Sequence, residues 1–478
     1  MMDFPEDSPG LAALEAALAR DFARLNHPPA DWVPARVGPD GVPMADVLIV
    51  GGGMCGLAAA FALRRLGISN LRQVDRREAG LEGPWMTYAR MTTLRSPKHL
   101  TGPAMGLPNL TFRAWYEAQG LDWDSLDRID RPDWMAYLRW YRRMTGAEVE
   151  NGVSVMRIAP GEDHAVVTLS TGEAVCARRV VLATGREGLA APRVPAPFAA
   201  HFGGVVRHSS DAVDFAACRG RRVAVIGLAA SAFDNAAMAL EAGAASVTLI
   251  GRAPAMPRLN KMKQTVYPGF THGFAELPDA DKIALLDHVA AQRIAPPHGS
   301  VRRIAAHPRV SLLMGAEVTR VGEQTTGVEL ITGKGPVGAD LVILGTGFAI
   351  DIAATPGIET FAGDILRWGD QVPGATGDWA AFPYLGDDFA FVSRAGSTTP
   401  GIGRLHCFNH AAQLSLGNLA NDIPAVSEGA ERLARRLAVH FFVEDRARHR
   451  RNLFDYAEPE LDGSEWPGLS PWDPALGH

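Results

Sequence analysis

Cysteine is scarce in this sequence. The 478 residues include four cysteines, and no two of them form a C-x-x-C pair; they are Cys55, Cys176, Cys218 and Cys407. Such spacing argues against a zinc site, a disulfide scaffold and a dithiol redox centre. It favours a reducing compartment, so we expect a cytoplasmic protein without a metal site.

Long apolar runs and clustered positive charge are missing too. No uncharged apolar stretch reaches the ~18 residues of a membrane span, and the start, MMDFPEDSPG, does not resemble a signal peptide. Segment 435–443, RRLAVHFFV, is interpreted as a packed helix, with a membrane-surface helix as the alternative. A net charge of -6 without a basic stripe argues against nucleic acid as a partner. The partner expected is a small molecule, and the oligomeric state is left open.

Two β-α-β patterns organise the chain. Residues 1–40 carry apolar residues at helical spacing and then prolines, which predicts an N-terminal helical extension. A strand, a glycine-rich turn, a helix and a second strand follow from Ala45, and the order repeats from Arg221, whereas 255–300 is interpreted as irregular. We predict an α/β fold with two Rossmann-like dinucleotide-binding domains. The second, 216–335, is inserted into the first, which comprises 41–215 and 336–478 with its C-terminal helices.

The first turn has the full G-x-G-x-x-G pattern, at Gly51, Gly53 and Gly56. The first glycine permits the tight turn, the second lets the backbone approach a pyrophosphate, and the third allows close packing of helix on strand. Asp75 lies 24 residues after Gly51, where an acid binds a ribose hydroxyl. Neighbouring residues complete the predicted site: Met54, Cys55 (interpreted as a packing residue) and Arg76.

The second turn is a degenerate version of the first. Gly227 holds the first position, Ala229 the second, and Ser231, followed by Ala232, approximates the third. The residue 24 positions after Gly227 is Gly251, so the acid is absent, and Arg252 follows. A cation there favours a 2′-phosphate and therefore NADPH over NADH. The alternative is that Arg252 is a solvated surface residue.

Further motifs occur in a fixed order along the chain. They are Glu82-Gly83-Pro84-Trp85, similar to G-G-x-W; Ala183-Thr184-Gly185; Phe202 to His208, an F-x-G-x-x-x-H match; Ser231-Ala232; and Gly345-Thr346-Gly347-Phe348. In this order they resemble the class B flavoprotein monooxygenases, which include flavin-containing monooxygenases, Baeyer–Villiger monooxygenases and N-hydroxylases. Glu82 replaces a glycine of the family pattern, and Ala212 stands where the family has an aromatic residue or proline after the histidine.

The resemblance implies FAD at the first turn and NADPH at the second, with Gly83, Trp85 and the two T-G turns beside the cofactors. It implies that one atom of O2 is inserted into a small organic substrate through a C4a-peroxyflavin, by N- or S-oxygenation or Baeyer–Villiger oxidation. A flavin-dependent NADPH oxidase or reductase, passing electrons to a quinone, a carrier or O2, is the alternative. A non-catalytic nucleotide-sensing protein is a further one.

Four residues are candidates for catalytic roles. Arg95 and Ser96 lie in a loop where the family places an Asn or Asp facing the flavin. Arg95 is interpreted either as a cation that stabilises a peroxyflavin anion or as a domain-interface ion pair. His208 is expected, from the resemblance, to couple NADPH binding to domain motion. Asn409 either approaches the flavin or substrate or has a structural role.

Overall fold

The computed structural model describes residues 8–39, 41–292, 294–462, 464–466 and 468. The first seven residues, on which the expectation about a signal peptide partly rests, lie outside this set. No helix in these ranges combines the length and the apolar character needed to cross a membrane.

Helices lie on both sides of the β-sheets and at the C-terminal end of the chain. In chain order they are α1 (Pro9–Arg24), α2 (Met54–Arg64), α3 (Phe112–Ala118), α4 (Arg131–Met144), α5 (Ala230–Glu241), α6 (Pro268–Gly273), α7 (Asp279–Ala291), α8 (His298–Ala305), α9 (Trp368–Gln371), α10 (Gln413–Leu416), α11 (Val426–Glu444) and α12 (Arg446–Asp455).

The strands form two larger sheets and two small ones. In chain order they are β1 (Arg36–Val37), β2 (Pro43–Val50), β3 (Leu71–Asp75), β4 (Glu150–Asn151), β5 (Val155–Ala159), β6 (Ala165–Leu169), β7 (Ala174–Leu182), β8 (Ala190–Pro192), β9 (Val206–His208), β10 (Arg222–Ile226), β11 (Ser246–Gly251), β12 (Val310–Met314), β13 (Val318–Glu323), β14 (Val328–Thr332), β15 (Gly335–Ala339), β16 (Leu341–Leu344), β17 (Phe348–Ile350) and β18 (Leu405–His406).

The first sheet is built around β2, which is buried from Met44 to Ile49. Its order is β4-β3-β2-β7-β6-β5, and β4, β3, β2 and β7 run parallel. A strand buried on both faces reads as a continuous apolar run, which is why VLIV was recognisable in the sequence. The alanine-rich helix α2 covers this sheet and is itself covered by α11.

Described segments from the N-terminal and C-terminal parts of the chain pack on this first sheet. Strand β18 pairs with β7, so residues 405–406 add to the sheet. Helix α1 inserts Leu11, Leu14 and Leu18 into the same core. The N-terminal helix is therefore packed against the domain, because its apolar stripe has a partner surface there.

The second sheet has the order β12-β11-β10-β16-β9, with every pair parallel. It takes β9 and β16 from outside residues 216–335, so this sheet is wider than the predicted insertion. Strands β13, β14 and β15 form a separate antiparallel sheet. The expectation of an irregular 255–300 is wrong in part, because α7 lies within this range and α8 begins there.

Candidate functional site

The first turn joins β2 to α2 and leaves the helix N-terminus open. Gly51 has φ +118°, which favours glycine. A Cβ on Gly56 would lie 1.9 Å from the carbonyl oxygen of Gly51, so helix and strand meet too closely for any side chain. Gly53, the N-cap, differs: a Cβ there would approach nothing nearer than the Gly83 backbone at 3.8 Å, and no side chain caps the helix. Free N–H groups and open space suit a pyrophosphate.

Asp75 lies beside this turn at the end of β3. Its carboxylate accepts hydrogen bonds of 2.7 Å from the Gly52 and the Arg77 backbone N–H groups. These contacts hold the acid against the turn, where the sequence places a ribose. Arg76 is more exposed and pairs with Glu187.

A cavity of ≈ 240 Å³ opens onto Gly52 and Gly53. Glu82, the departure from the family pattern, lies in its wall and is buried. Its carboxylate accepts from Arg142 at 2.9 Å, from Asn151 at 2.7 Å and from the Gly80 N–H at 2.8 Å. The substitution thus adds a satisfied buried carboxylate behind the turn and leaves the space in front of Gly53 open, so the residues fit a bound dinucleotide.

The second turn follows the same path between β10 and α5. Gly227 has φ +127°, and Ala229 is an N-cap without a side-chain cap. Ala232, rather than Ser231, takes the place of Gly56, because each lies five residues after the first glycine. Its methyl group would be 3.4 Å from a Cβ on Gly227. Ser231 contributes its carbonyl oxygen to Asn235 inside the helix.

Gly251 and Arg252 differ sharply in their surroundings. A Cβ on Gly251 would lie 2.4 Å from Leu228 Cγ, so the leucine of the turn covers the place where the first site has its acid. The Arg252 side chain is 75% exposed, and its ion-pair partner is Glu317 at 4.0 Å. The guanidinium is therefore accessible from solvent to the phosphate group of a ligand.

The two T-G turns are held by predicted site residues. Asn409 donates to Leu182 O and to Thr184 Oγ1, both at 3.1 Å, and caps the helical turn that follows it. Buried His208 has Nε2 2.9 Å from the carbonyl oxygen of Gly347 and accepts the Ser210 N–H at Nδ1. Burial lowers the pKa of His208, so the ring is neutral at pH 7. Both residues position turns through contacts within the protein.

The remaining turn and loop residues sit around these anchors. Thr346 donates to the Arg193 carbonyl oxygen, and Gly185 follows Thr184 with φ +68°. Trp85 packs edge-on against Trp134, and Gly83 before it has φ +73°. Met54 and Cys55 are buried at the start of α2.

Arg95 bridges the two domains. Its Nη2 atom lies 3.2 Å from Asp234 of α5, which also accepts from Ser300 at 2.5 Å. This contact is an ion pair between the two domains, which corresponds to the second of the two interpretations of Arg95. Ser96 is half-buried, and its hydroxyl makes no hydrogen bond within the described residues.

The cysteine thiols of the site are not thiolates. Burial raises the pKa of Cys55 to about 12 and that of Cys407 further. The Cys55 thiol lies 3.3 Å from the carbonyl oxygen of Ala420, as a packing residue would. None of the four cysteines forms a disulfide bond.

The spacing of motifs did not single out Arg186. It follows the first T-G turn directly, and solvent reaches its side chain. His410, which follows Asn409, lies beside it, because the short helical segments of the two residues pack together. The signal available for Arg186 in the sequence is position alone, two residues after Thr184.

Comparisons with known proteins agree with this geometry. The family model described as "Pyridine nucleotide-disulphide oxidoreductase" matches residues 48–307. An FAD-dependent urate hydroxylase from Xanthomonas campestris pv. campestris is 36% identical over 466 residues, covering 96% of this chain and 98% of that protein.

Two solved structures share the fold. The reduced form of an ornithine hydroxylase from Pseudomonas aeruginosa has a TM-score of 0.64 at 20% identity, covering 83% of this chain and 99% of that one. An ornithine N-hydroxylase from Kutzneria sp. 744, solved with reduced FAD, NADP+ and L-ornithine, has a TM-score of 0.64 at 18% identity, covering 83% and 100%.

Proposed function

The chain belongs to the pyridine nucleotide-disulphide oxidoreductase family as a class B flavin-dependent monooxygenase, and from this we propose that it hydroxylates a urate-like nitrogen heterocycle. FAD and NADPH are its cofactors. The proposed reaction consumes one NADPH, one proton and one O2, places one oxygen atom on the substrate and releases the other as water. Four cysteines without a disulfide bond are compatible with the cytoplasm as its location.

The observation that carries the substrate class is the near-complete match to a urate hydroxylase at 36% identity. The geometry is compatible with it: two dinucleotide turns lie in adjacent domains, and Arg95 bridges those domains through Asp234. A dithiol acceptor does not fit, because the Cys55 and Cys407 thiols are buried and protonated.

The residues of the chain divide the work between binding and positioning. The N-terminus of α2 and the open space at Gly53 would hold the FAD pyrophosphate, with Asp75 at the ribose. The N-terminus of α5 and Arg252 would hold NADPH. When bound, FAD supplies the redox chemistry, accepting a hydride from NADPH and delivering two electrons to O2.

His208 and Asn409 act through the T-G turns. His208 ties the linker strand β9 to Gly347, so movement of the second domain would reach this turn through one hydrogen bond. Asn409 fixes Thr184 against the C-terminal part of the chain. Trp85, with Trp134 behind it, would exclude water from the reaction centre.

The proposed function is tested by the stoichiometry of urate, NADPH and O2 consumption. Purified protein that retains FAD is given NADPH and O2 with urate, and with L-ornithine as the contrasting substrate. We expect urate to accelerate NADPH oxidation and to be consumed one to one with NADPH and O2. Stoichiometric hydrogen peroxide with urate unchanged would support the NADPH oxidase instead, and acceleration by L-ornithine alone would move the substrate class to amines.

A further inference from the structure

A polar cluster lies where the turn after β7 packs against the C-terminal part of the chain. It comprises Arg186, His410, Asn421 and Asp422. Asn409 donates to Thr184 Oγ1 at 3.1 Å, and this bond brings Arg186, two residues after Thr184, next to His410. The placement therefore rests on a buried anchor.

Arg186 is unusual among the arginines near the cofactor turns. Its guanidinium makes no hydrogen bond or salt bridge to any residue that the structure describes. Arg95, by comparison, is paired with Asp234, Arg142 with Glu82, and Arg76 with Glu187. The five N–H donors of Arg186 are thus available to a ligand.

Arg186 is solvent-accessible and lies among charged and polar neighbours. The protein packed around the side chain lowers the pKa of Arg186 by desolvation, and Arg95 lowers it further. An arginine stays charged in proteins. Tyr88 and the Asp422 carboxylate act in the opposite direction, and burial raises the pKa of Asp422 itself. The positive charge of Arg186 is therefore only partly balanced.

His410 adds a directed donor beside this charge. Burial, together with Arg186, lowers the pKa of His410 to about 3, so the ring is neutral at pH 7. Asn421 Nδ2 lies 3.4 Å from Nδ1. Donation from this amide to Nδ1 leaves the ring proton on Nε2. Phe382 packs edge-on against the ring at 6.4 Å, giving the site an apolar wall.

We propose that Arg186 and His410 form the substrate subsite and that it selects an anionic, planar heterocycle, whose negative oxygen or nitrogen receives the guanidinium while the Nε2–H of His410 donates to a second acceptor. This inference rests on the proposed function and deepens it, because urate is a monoanion at neutral pH. A planar guanidinium suits two adjacent acceptors on one ring edge.

The cofactor phosphates have other partners. The pyrophosphate of FAD fits the N-terminus of α2 at Gly53, and the phosphates of NADPH fit the N-terminus of α5 and Arg252. Arg186 lies near the C-terminal residues Asp422 and His410 instead. Its anion is therefore assigned to the substrate.

The experiment compares ligand binding to FAD-loaded wild-type protein, Arg186→Gln and Arg186→Lys, by calorimetry without NADPH. The ligands are urate and benzoate, both anions, and caffeine, a neutral purine. We expect Arg186→Gln to raise the Kd of urate about 10- to 150-fold. Arg186→Lys should fall between, and caffeine binding should not change. Arg435→Gln, an exposed arginine on α11, is the matched control.

Two further measurements separate the outcomes. FAD content and the Kd of NADP+ should stay within about twofold of wild type; loss of either, with urate binding kept, would make Arg186 a cofactor ligand and overturn the proposal. Unchanged urate affinity in Arg186→Gln would also overturn it, even if urate is turned over. Wild-type binding of benzoate but not urate, lost in Arg186→Gln, would keep the anion subsite and refute the urate function. No anion binding to wild type would overturn the subsite.

Discussion

The two dinucleotide turns have the same backbone course but differ in the side chains that surround them. Gly51 and Gly227 have φ values of +118° and +127°, and both helices begin without a side-chain cap. The first turn has glycine where the helix meets the strand, so no side chain fits between them. The second has Ala232 there, which makes its packing one methyl group looser.

The larger difference lies at the ends of the second strands. Asp75 is 8% exposed and bound by two backbone N–H groups, whereas Arg252 is 75% exposed with a distant partner. A cofactor that stays bound through many turnovers suits an enclosed site. One that enters as NADPH and leaves as NADP+ in every cycle needs an accessible one. The difference in burial between Asp75 and Arg252 is compatible with a retained cofactor at the first turn and an exchanging one at the second.

The largest effect is expected for Gly53→Val, which should lose FAD binding at the first turn. The added side chain meets open space rather than protein, so the chain should fold while the pyrophosphate is blocked. Loss of charged hydrogen bonds costs about 1.5–3 kcal/mol each, so losing two weakens FAD binding by more than about 100-fold. The FAD to protein absorbance ratio after gel filtration measures this.

Gly299→Val is the matched control for that variant, because a Cβ there meets nothing within 4 Å and Gly299 lies in α8, away from the first turn. It should keep its FAD. A Gly53→Val protein as yellow as wild type would contradict the assignment of the first turn.

Arg252→Ala tests the open site with a smaller effect. Losing one charged contact to a 2′-phosphate should cost about 1.5–3 kcal/mol, or roughly 10- to 150-fold in the KM for NADPH. The KM for NADH should hardly change, since NADH lacks this phosphate. FAD content serves as the internal control. Equal effects on both nucleotides would refute the contact with the 2′-phosphate.

The strand-turn-helix units could be predicted because their signals are local. The apolar run before Gly51 and the 24-residue spacing to Asp75 and Gly251 need no tertiary information. Helix α7 could not be recognised from the sequence, because its apolar residues show little one-sided helical spacing and prolines and glycines lie around it. The third position of the second turn was displaced by one residue, since Ser231-Ala232 was matched by type rather than by distance from Gly227.

The polar site could not be predicted in the same way. Whether Arg95 or Arg186 is paired depends on Asp234 and on the fold of distant segments, which no spacing rule encodes. Glu82 stands out in the sequence as a departure, yet its reason lies in Arg142 and Asn151. Local motifs in the sequence indicate where the cofactors bind. Which charged side chains are available to a ligand depends on the ion pairs that form in the folded chain.

The smallest effect is expected for Glu317, which lies beside Arg252 at the second site. Glu317 lies 4.0 Å from Arg252, and its side chain is 67% exposed. An exposed ion pair contributes about 0–1 kcal/mol, and Glu317 would also repel an incoming phosphate. Glu317→Gln should therefore lower the KM for NADPH about two- to fivefold and leave that for NADH unchanged. Steady-state kinetics at low ionic strength measure this, and added salt should reduce the difference because it screens exposed charges. A higher KM for NADPH in this variant would mean that Glu317 orients Arg252 for the phosphate, and the second site would then be as preorganised as the first.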